Sequence, residues 1–408
     1  MRINRSRLEA HLSEMGTIGK EPEGRGRTRL ALSEEDKRGR DLLQSWMREL
    51  GLTVHVDPIG NFFGIREGKD NSLSPIVMGS HLDTVIEAGM YDGALGVLSA
   101  LEVVQRFTEE GVETLRPVGV GCFTNEEGVR FQPDMMGSLV ASNGYPLEKA
   151  YARSDDEHIT VREALESIGY LGKEWFLPGA YFEFHVEQGP VLYNRGVQVG
   201  VVEGVQGMEW WRVRFRGEAN HAGTTPLGMR RDAMRGAAEI YTAVLAMTER
   251  LGNSVCTIGK LRLEPNAINV VPGVADFTID FRSHNDAAFE VGRREVARLI
   301  EETAVRLNLK AEQEVIVDAK PVHFRAGMVD LVESEAVRQG YSTLRLPSGA
   351  GHDAQFMHTV CPTAMIFVPS INGVSHSPEE RSTMEDIERG ANVLLGCALA
   401  TAAKRSLD

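Results

Sequence analysis

A chain of 408 residues is longer than one compact domain usually needs, so two domains are the starting expectation. Its hydrophobic content of 42% and charged content of 25% are those of an ordinary folded protein with a sizeable core. A net charge of −14 argues against nucleic acid or anionic membrane as a partner, and no apolar run approaches the roughly 20 residues of a membrane span.

The N-terminus, Met1-Arg2-Ile3-Asn4-Arg5, has no apolar segment behind its charges and does not read as a signal peptide. Cys122, Cys256, Cys361 and Cys397 are scattered without a CxxC pair, the pattern of reduced thiols, so the expected compartment is the cytoplasm. Leu42, Leu43, Trp46, Met47 and Leu50 recur at helical spacing, and Gly51 is placed to stop the helix. An apolar strand follows at Ile76-Val77-Met78-Gly79 and runs into Ser80-His81-Leu82-Asp83. After Asp92-Gly93 a helix carries Leu95, Leu98, Leu101, Val104 and Phe107 on one stripe. A second strand, Val118 to Phe123, ends at Thr124-Asn125-Glu126-Glu127. Strands alternating with helices, with polar groups at the strand ends, predict an open α/β sheet whose site lies at that edge.

The pattern changes after about Val205. A half-exposed strand over Trp210–Phe215, a helix over Asp232–Arg250, strands near Val255–Leu263 and Val274–Phe281, a helix over Ala287–Leu307 and a strand near Glu312–Val317 follow. That β-α-β-β-α-β order fits a ferredoxin-like unit. From about Pro321 the first style returns, with a helix near Met328–Gln339 and a strand at Ala364–Val368. The expected organisation is an α/β domain over 1–207 and 322–408, with an α+β domain over 208–321 inserted into it.

Several polar residues could carry chemistry. His81 and Asp83 stand just after a strand, Asp92 at a helix start where the dipole favours negative charge, and Glu126-Glu127 at the next strand's end. His185 lies among apolar neighbours and His376 in Gly373-Val374-Ser375-His376-Ser377-Pro378. Imidazole and carboxylate suit zinc, manganese or cobalt, with a second carboxylate orienting a ligand histidine. The residues alone leave other readings open: Asp92 as a helix cap, the acidic pair as a solvated loop, His185 as a core histidine.

Gly79-Ser80-His81-Leu82-Asp83-Thr84-Val85, Tyr91-Asp92-Gly93-Ala94-Leu95-Gly96-Val97 and Thr124-Asn125-Glu126-Glu127-Gly128 resemble the metal-dependent peptidase and amidase superfamily M20. Three more stretches, His185-Val186-Glu187-Gln188-Gly189-Pro190, Asn220-His221-Ala222-Gly223-Thr224-Thr225-Pro226 and Ser348-Gly349-Ala350-Gly351-His352-Asp353-Ala354, are similar to its hydantoinase/carbamoylase branch, the N-carbamoyl-L-amino-acid hydrolases and allantoate amidohydrolases. The resemblance spans nearly the whole chain. It implies a zinc-peptidase-like catalytic domain with a ferredoxin-like lid and dimerisation domain. It also implies two divalent metal ions per subunit, zinc or else manganese, cobalt or nickel. His81, Asp92 and His185 would hold one ion, and Asp92, Glu127 and His376 the other. Glu126 would be the general base on the water between them, and Asp83 the partner that orients His81.

On the substrate side the resemblance implies Gln188 as a ureido contact and His221 as an oxyanion donor, in its own or a partner subunit. Asn269 and Arg282 would bind substrate, the arginine by its carboxylate, and Gly351, His352 and Asp353 would line the pocket. The inserted domain would then act as a lid hinged near Val205–Met208 and Asp318–Val322. The implied activity is metal-dependent hydrolysis of the carbamoyl C–N bond of N-carbamoyl-L-amino acids, a small anionic ureido substrate, by a homodimer. The alternatives are allantoate hydrolysis, an N-acyl-amino-acid deacylase or peptidase, and a metal-holding binding protein. His185, where peptidase relatives carry an acid, disfavours the deacylase, and a free Glu126 disfavours the binding protein.

Overall fold

The computed structural model describes residues 1–407. Its contacts divide the chain into two compact units: Met1–Gly204 together with the chain from Phe324 onward, and Val205–His323.

The first unit is built on one mixed sheet. Its strands run in the order Thr53–Val56, Phe62–Arg66, Val118–Phe123, Ile76–His81, Ala180–Val186, Thr363–Val368 and Val199–Val205. The four in the middle, from Val118–Phe123 to Thr363–Val368, are parallel to one another, while the outer neighbours pair antiparallel. Every residue of those four strands is buried, as expected of parallel strands covered on both faces. The helix Ala94–Glu109 packs on three of them and Met384–Ala402 lies beside it. Leu95, Leu98, Leu101, Val104 and Phe107 of the former are wholly buried, each contributing about 1.5–3 kcal/mol of transfer free energy. The earlier helix, Glu34–Glu49, starts well before the predicted stripe, where the Ser33 hydroxyl accepts the Asp36 N–H at 3.1 Å. Gly51 follows its end at φ +73°, the left-handed conformation that lets the chain turn away.

After Ile76–His81 the chain places its next parallel strand on one side and Ala180–Val186 on the other. A crevice opens at the carboxyl ends of the strands where the winding reverses. His81 ends one central strand, Glu126 follows the second, His185 sits near the end of the third and His376 follows the fourth.

The second unit has an antiparallel sheet in the order Leu261–Glu264, Val274–Ser283, Gly207–Arg216 and Lys310–Ala319, with Ser254–Thr257 also paired to Val274–Ser283. Two helices, Ala233–Leu251 and Asp286–Arg306, connect its strands in the β-α-β-β-α-β order. Trp211, Val213 and Phe215 alternate inward to a core shared with Ile240, Phe277 and Ile300. The single strand expected over 255–263 is broken. Asp280 faces Thr257 whereas Phe277 faces Leu261, a one-residue slip absorbed as a bulge between them. All four cysteines are free and buried. Among the described residues no helix is long and apolar enough to cross a membrane.

Candidate metal centre

His81 and His185 are each 1% exposed. The Nδ1 of His81 lies 2.9 Å from the Asp83 backbone carbonyl, and that of His185 lies 2.9 Å from the Val186 carbonyl. A carbonyl only accepts, so both rings carry a proton on Nδ1 and turn Nε2 toward the crevice. Between them stands Asp92, just ahead of the Ala94–Glu109 helix. Its Oδ1 is 3.0 Å from His185 Nε2 and 3.7 Å from His81 Nε2, and its Oδ2 is 3.3 Å from His376 Nε2. Glu127 Oε2 lies 3.5 Å from His376 Nε2, and Glu126 Oε2 lies 3.4 Å from His81 Nε2. One aspartate thus turns one oxygen to each of two groups, His81 with His185 and Glu127 with His376. Gly93 makes the close approach feasible: at φ +63°, a Cβ there would lie 2.4 Å from the His81 ring.

The donor set fits divalent cations. Ligand atoms about 2.0–2.1 Å from a tetrahedral ion lie roughly 3.3 Å from one another. The trios His81/Asp92/His185, Asp92/Glu127/His376 and His81/Glu126/Glu127 each bring ligand atoms within 4.8 Å. His81 Nε2 and Glu127 Oε1 are buried without a hydrogen-bond partner, a loss of about 1–3 kcal/mol each that a cation removes. The electrostatics agree. Burial, then the charge of Glu127, holds the Glu126 carboxyl well above the usual range. Burial, then the charge of Asp92, does the same to Glu127. Burial opposes ionisation of Asp92 as well, but hydrogen bonds to His185 and His376 outweigh it and hold this carboxyl well below the usual range. Burial also pushes His81 down to about 4, so this imidazole is a neutral donor.

Asp83 differs from expectation. Its carboxylate stands 3.9 Å from His81 Nδ1 and instead accepts the backbone N–H groups of Glu126 at 3.3 Å and Glu127 at 3.2 Å. His81 is oriented by the backbone of residue 83, because the turn after the strand puts the carbonyl closer than the side chain. The side chain of Asp83 anchors the acidic pair.

The cavity over the cluster is also lined by Asp134, Met135, Gln188, Ala350, Gly351 and His352. Gln188 Nε2 donates to Asp92 Oδ2 at 2.9 Å. The His352 ring meets His185 edge-on, 4.6 Å between centroids. Asp353, expected in the lining, is wholly buried behind it at the start of the Ala354–Met357 helix. His221, Asn269 and Arg282 belong to the other unit. His221 pairs with Val270, and the Asn269 carbonyl accepts the Ala222 N–H at 3.0 Å, so these two segments adjoin. Arg282 stands on another strand with its guanidinium on Asp280 at 2.8 Å. Sequence reasoning missed Asp134, Met135 and Ala350, and also Glu380, a buried acid four residues beyond His376. The only signal for them was nearness in sequence to Glu126-Glu127, Gly351 or His376.

The sequence matches Peptidase family M20/M25/M40 over residues 77–400. It is 40% identical to an N-carbamoyl-L-amino acid amidohydrolase of Geobacillus stearothermophilus over 96% of this chain and 97% of that one. A probable allantoate deiminase of Oryza sativa subsp. japonica is 36% identical over 94% of this chain and 86% of its own. The crystal structure of an amidase of the hydantoinase/carbamoylase family from Burkholderia multivorans superposes with a TM-score of 0.97, at 40% identity over 99% of both chains. With a histidine and carboxylate cluster at the strand ends and matches along nearly its whole length, the chain belongs to the metal-dependent Peptidase family M20/M25/M40 and, within it, to the hydantoinase/carbamoylase amidases, hydrolases of C–N bonds.

Proposed function

We propose that this enzyme hydrolyses the carbamoyl C–N bond of N-carbamoyl-L-amino acids, giving the amino acid, carbon dioxide and ammonia. The observation that carries the reading is the divided carboxylate of Asp92, with imidazole nitrogens at both of its oxygens and Glu126 beside them. His81, Asp92 and His185 would hold one divalent ion and Asp92, Glu127 and His376 a second. Zinc suits the donors, and manganese, cobalt or nickel would also bind. Bound there, the cations supply a lowered pKa for water and a polarised scissile carbonyl.

The rest is work for the chain's own groups. Glu126, left unligated, takes the proton of the attacking water at Oε2 and passes it to the departing nitrogen. The Asp83 carboxylate fixes the backbone from which Glu126 projects. The Gln188 amide contacts the ureido group. His221 accepts the N–H groups of Gly223 at 3.0 Å and Thr224 at 3.1 Å on its Nδ1, so its proton sits on Nε2, the tautomer that donates to a developing oxyanion. Asn269 holds substrate, Arg282 grips its carboxylate with the guanidinium fork, and the Gly351 backbone borders the ureido group.

The same reading makes the Val205–His323 unit the lid and dimerisation module of a cytoplasmic homodimer. Its edge strand, Lys310–Ala319, leaves Val315 and Ile316 each 41% exposed, which supports pairing with a second copy. Four free thiols support the compartment. Allantoate is the second reading, favoured by the likeness to the rice protein. Ammonia release by the metal-loaded enzyme, measured on N-carbamoyl-L-amino acids and allantoate side by side, decides. Preference for the former is expected. Preference for allantoate changes the substrate and keeps the chemistry, and turnover of neither overturns the proposal.

A further inference from the structure

Two loops supply the Asp92/Glu127/His376 trio with its aspartate and histidine, and one buried acid ties those loops together. Glu380 is 3% exposed. Its Oε1 accepts the backbone N–H groups of Tyr91 and Asp92, both at 3.1 Å, and its Oε2 accepts the Ser375 hydroxyl at 2.8 Å. The Glu380 N–H donates to the Ser377 carbonyl at 3.0 Å, which closes a turn over residues 377–380 just after His376. A Cβ at Gly89 would come within 2.4 Å of Glu380, so the opposite loop approaches closely only because residue 89 has no side chain.

His81 and His185 need no such tie. Each is set by the sheet ladder, and Asp92 Oδ1 rests 3.0 Å from His185 on that side. His376 lies outside any strand, at φ +52°, with half of its side chain exposed. The Gln188 amide nitrogen bridges the two side chains, 2.9 Å from Asp92 Oδ2 and 3.3 Å from His376 Nε2. Glu380 is the side chain that ties the backbone of residues 91–92 to Ser375, so the separation of Asp92 from His376 depends on that tie as well.

We propose that Glu380 is a positioning residue for the second cation position alone, acting through the backbone of Asp92 and the hydroxyl of Ser375. The proposal rests on the two-cation reading above. Stepwise calorimetric titration of the metal-free full-length protein with zinc tests both. Wild type is expected to show two binding events. Glu380→Ala should keep the first within about twofold and weaken the second by about 10–100-fold, the usual cost of removing a group that orients a ligand. Glu380→Gln should restore the second event to within about threefold, because its carbonyl accepts both N–H groups while its amide donates to Ser375. Cobalt absorption spectra recorded along the same titration assign each event to a coordination environment. If Glu380→Ala fails to fold by circular dichroism, Ser375→Ala removes only the Oε2 bond and should weaken the second event by about tenfold. Two wild-type events with both unchanged in the variants, or both equally weakened, overturn the positioning role and leave the two-cation reading intact. A single wild-type event overturns the two-cation reading and this proposal with it.

Discussion

The two sides of Asp92 are held in different ways. On one side His81 and His185 sit on fully buried strands, each with Nδ1 on a main-chain carbonyl 2.9 Å away. On the other, His376 is 52% exposed in a loop, and both it and Gln188 adopt left-handed backbone, at φ +52° and +56°. Non-glycine residues reach that conformation at a cost of about 1–3 kcal/mol that neighbouring contacts must offset. As proposed ligands, the residues at strand ends are fixed, whereas the one in a loop has freedom to adjust. The ladder-held side is expected to bind its ion whatever the loops do, and the loop-held side to be the one that responds to mutation and to substrate.

The largest expected effect falls on neither side. Glu126→Gln keeps the size and the backbone anchor of the proposed general base but removes its capacity to take a proton. Turnover should fall about 10²–10⁴-fold with metal content unchanged by elemental analysis. Loss of an ion together with turnover would instead make Glu126 a ligand, as the His81/Glu126/Glu127 trio geometrically permits.

Next comes the contrast between His185→Ala and His376→Ala. Both should cost a binding event, but only the first removes a buried ring packed on His352 and Phe367. Unfolding of the metal-free protein in urea should show about 1–3 kcal/mol lost for His185→Ala and under about 0.5 kcal/mol for His376→Ala. Equal losses would break the comparison, because the exposed loop would then be as integral as the strand.

A smaller effect is expected at the cavity wall. A Cβ on Gly351 would lie 2.7 Å from Met135 Cε, the far end of a flexible side chain. Gly351→Ala should push that side chain into the cavity and raise KM by about tenfold, a discrimination of the size of one methylene. Met135→Ala in the same chain should relieve it. If the double variant is no better than the single, the crowding lies elsewhere.

What the sequence revealed follows the same division. Val118–Phe123 and the Ala94–Glu109 helix were legible because continuous apolar runs and a 3.6-residue stripe are local signals. His81, Asp92 and Glu126-Glu127 could be placed at strand and helix ends for that reason. The Ala180–Val186 strand was not recognised, since Glu183 and His185 interrupt its apolar run. Glu183 is nonetheless buried, with Ser80 at 2.7 Å and the Ala354 N–H at 2.8 Å as partners. The link of Glu380 to Tyr91 and Asp92 joins positions 289 and 288 residues apart, and no periodicity encodes such a contact. The proposed ligand set came from family resemblance, and the loops that would aim those side chains came only with the fold.

The smallest predicted effect is the sharpest test of how the strand side is held. Were the Asp83 carboxylate the group that orients His81, Asp83→Asn would disturb the imidazole and weaken the first ion by about 10–100-fold. The backbone carbonyl of residue 83 is the acceptor instead, at 2.9 Å against 3.9 Å for the carboxylate, and the substitution leaves it in place. First-ion affinity in the calorimeter should therefore stay within about twofold of wild type. The carboxylate does accept the N–H groups of Glu126 and Glu127, and an amide can accept with only one of its two ends. The cost of Asp83→Asn should thus appear in kcat, as a misplaced general base, with the metal of the strand side undisturbed. Loss of the first ion would return Asp83 to the role of histidine partner and remove the distinction between main-chain and side-chain support.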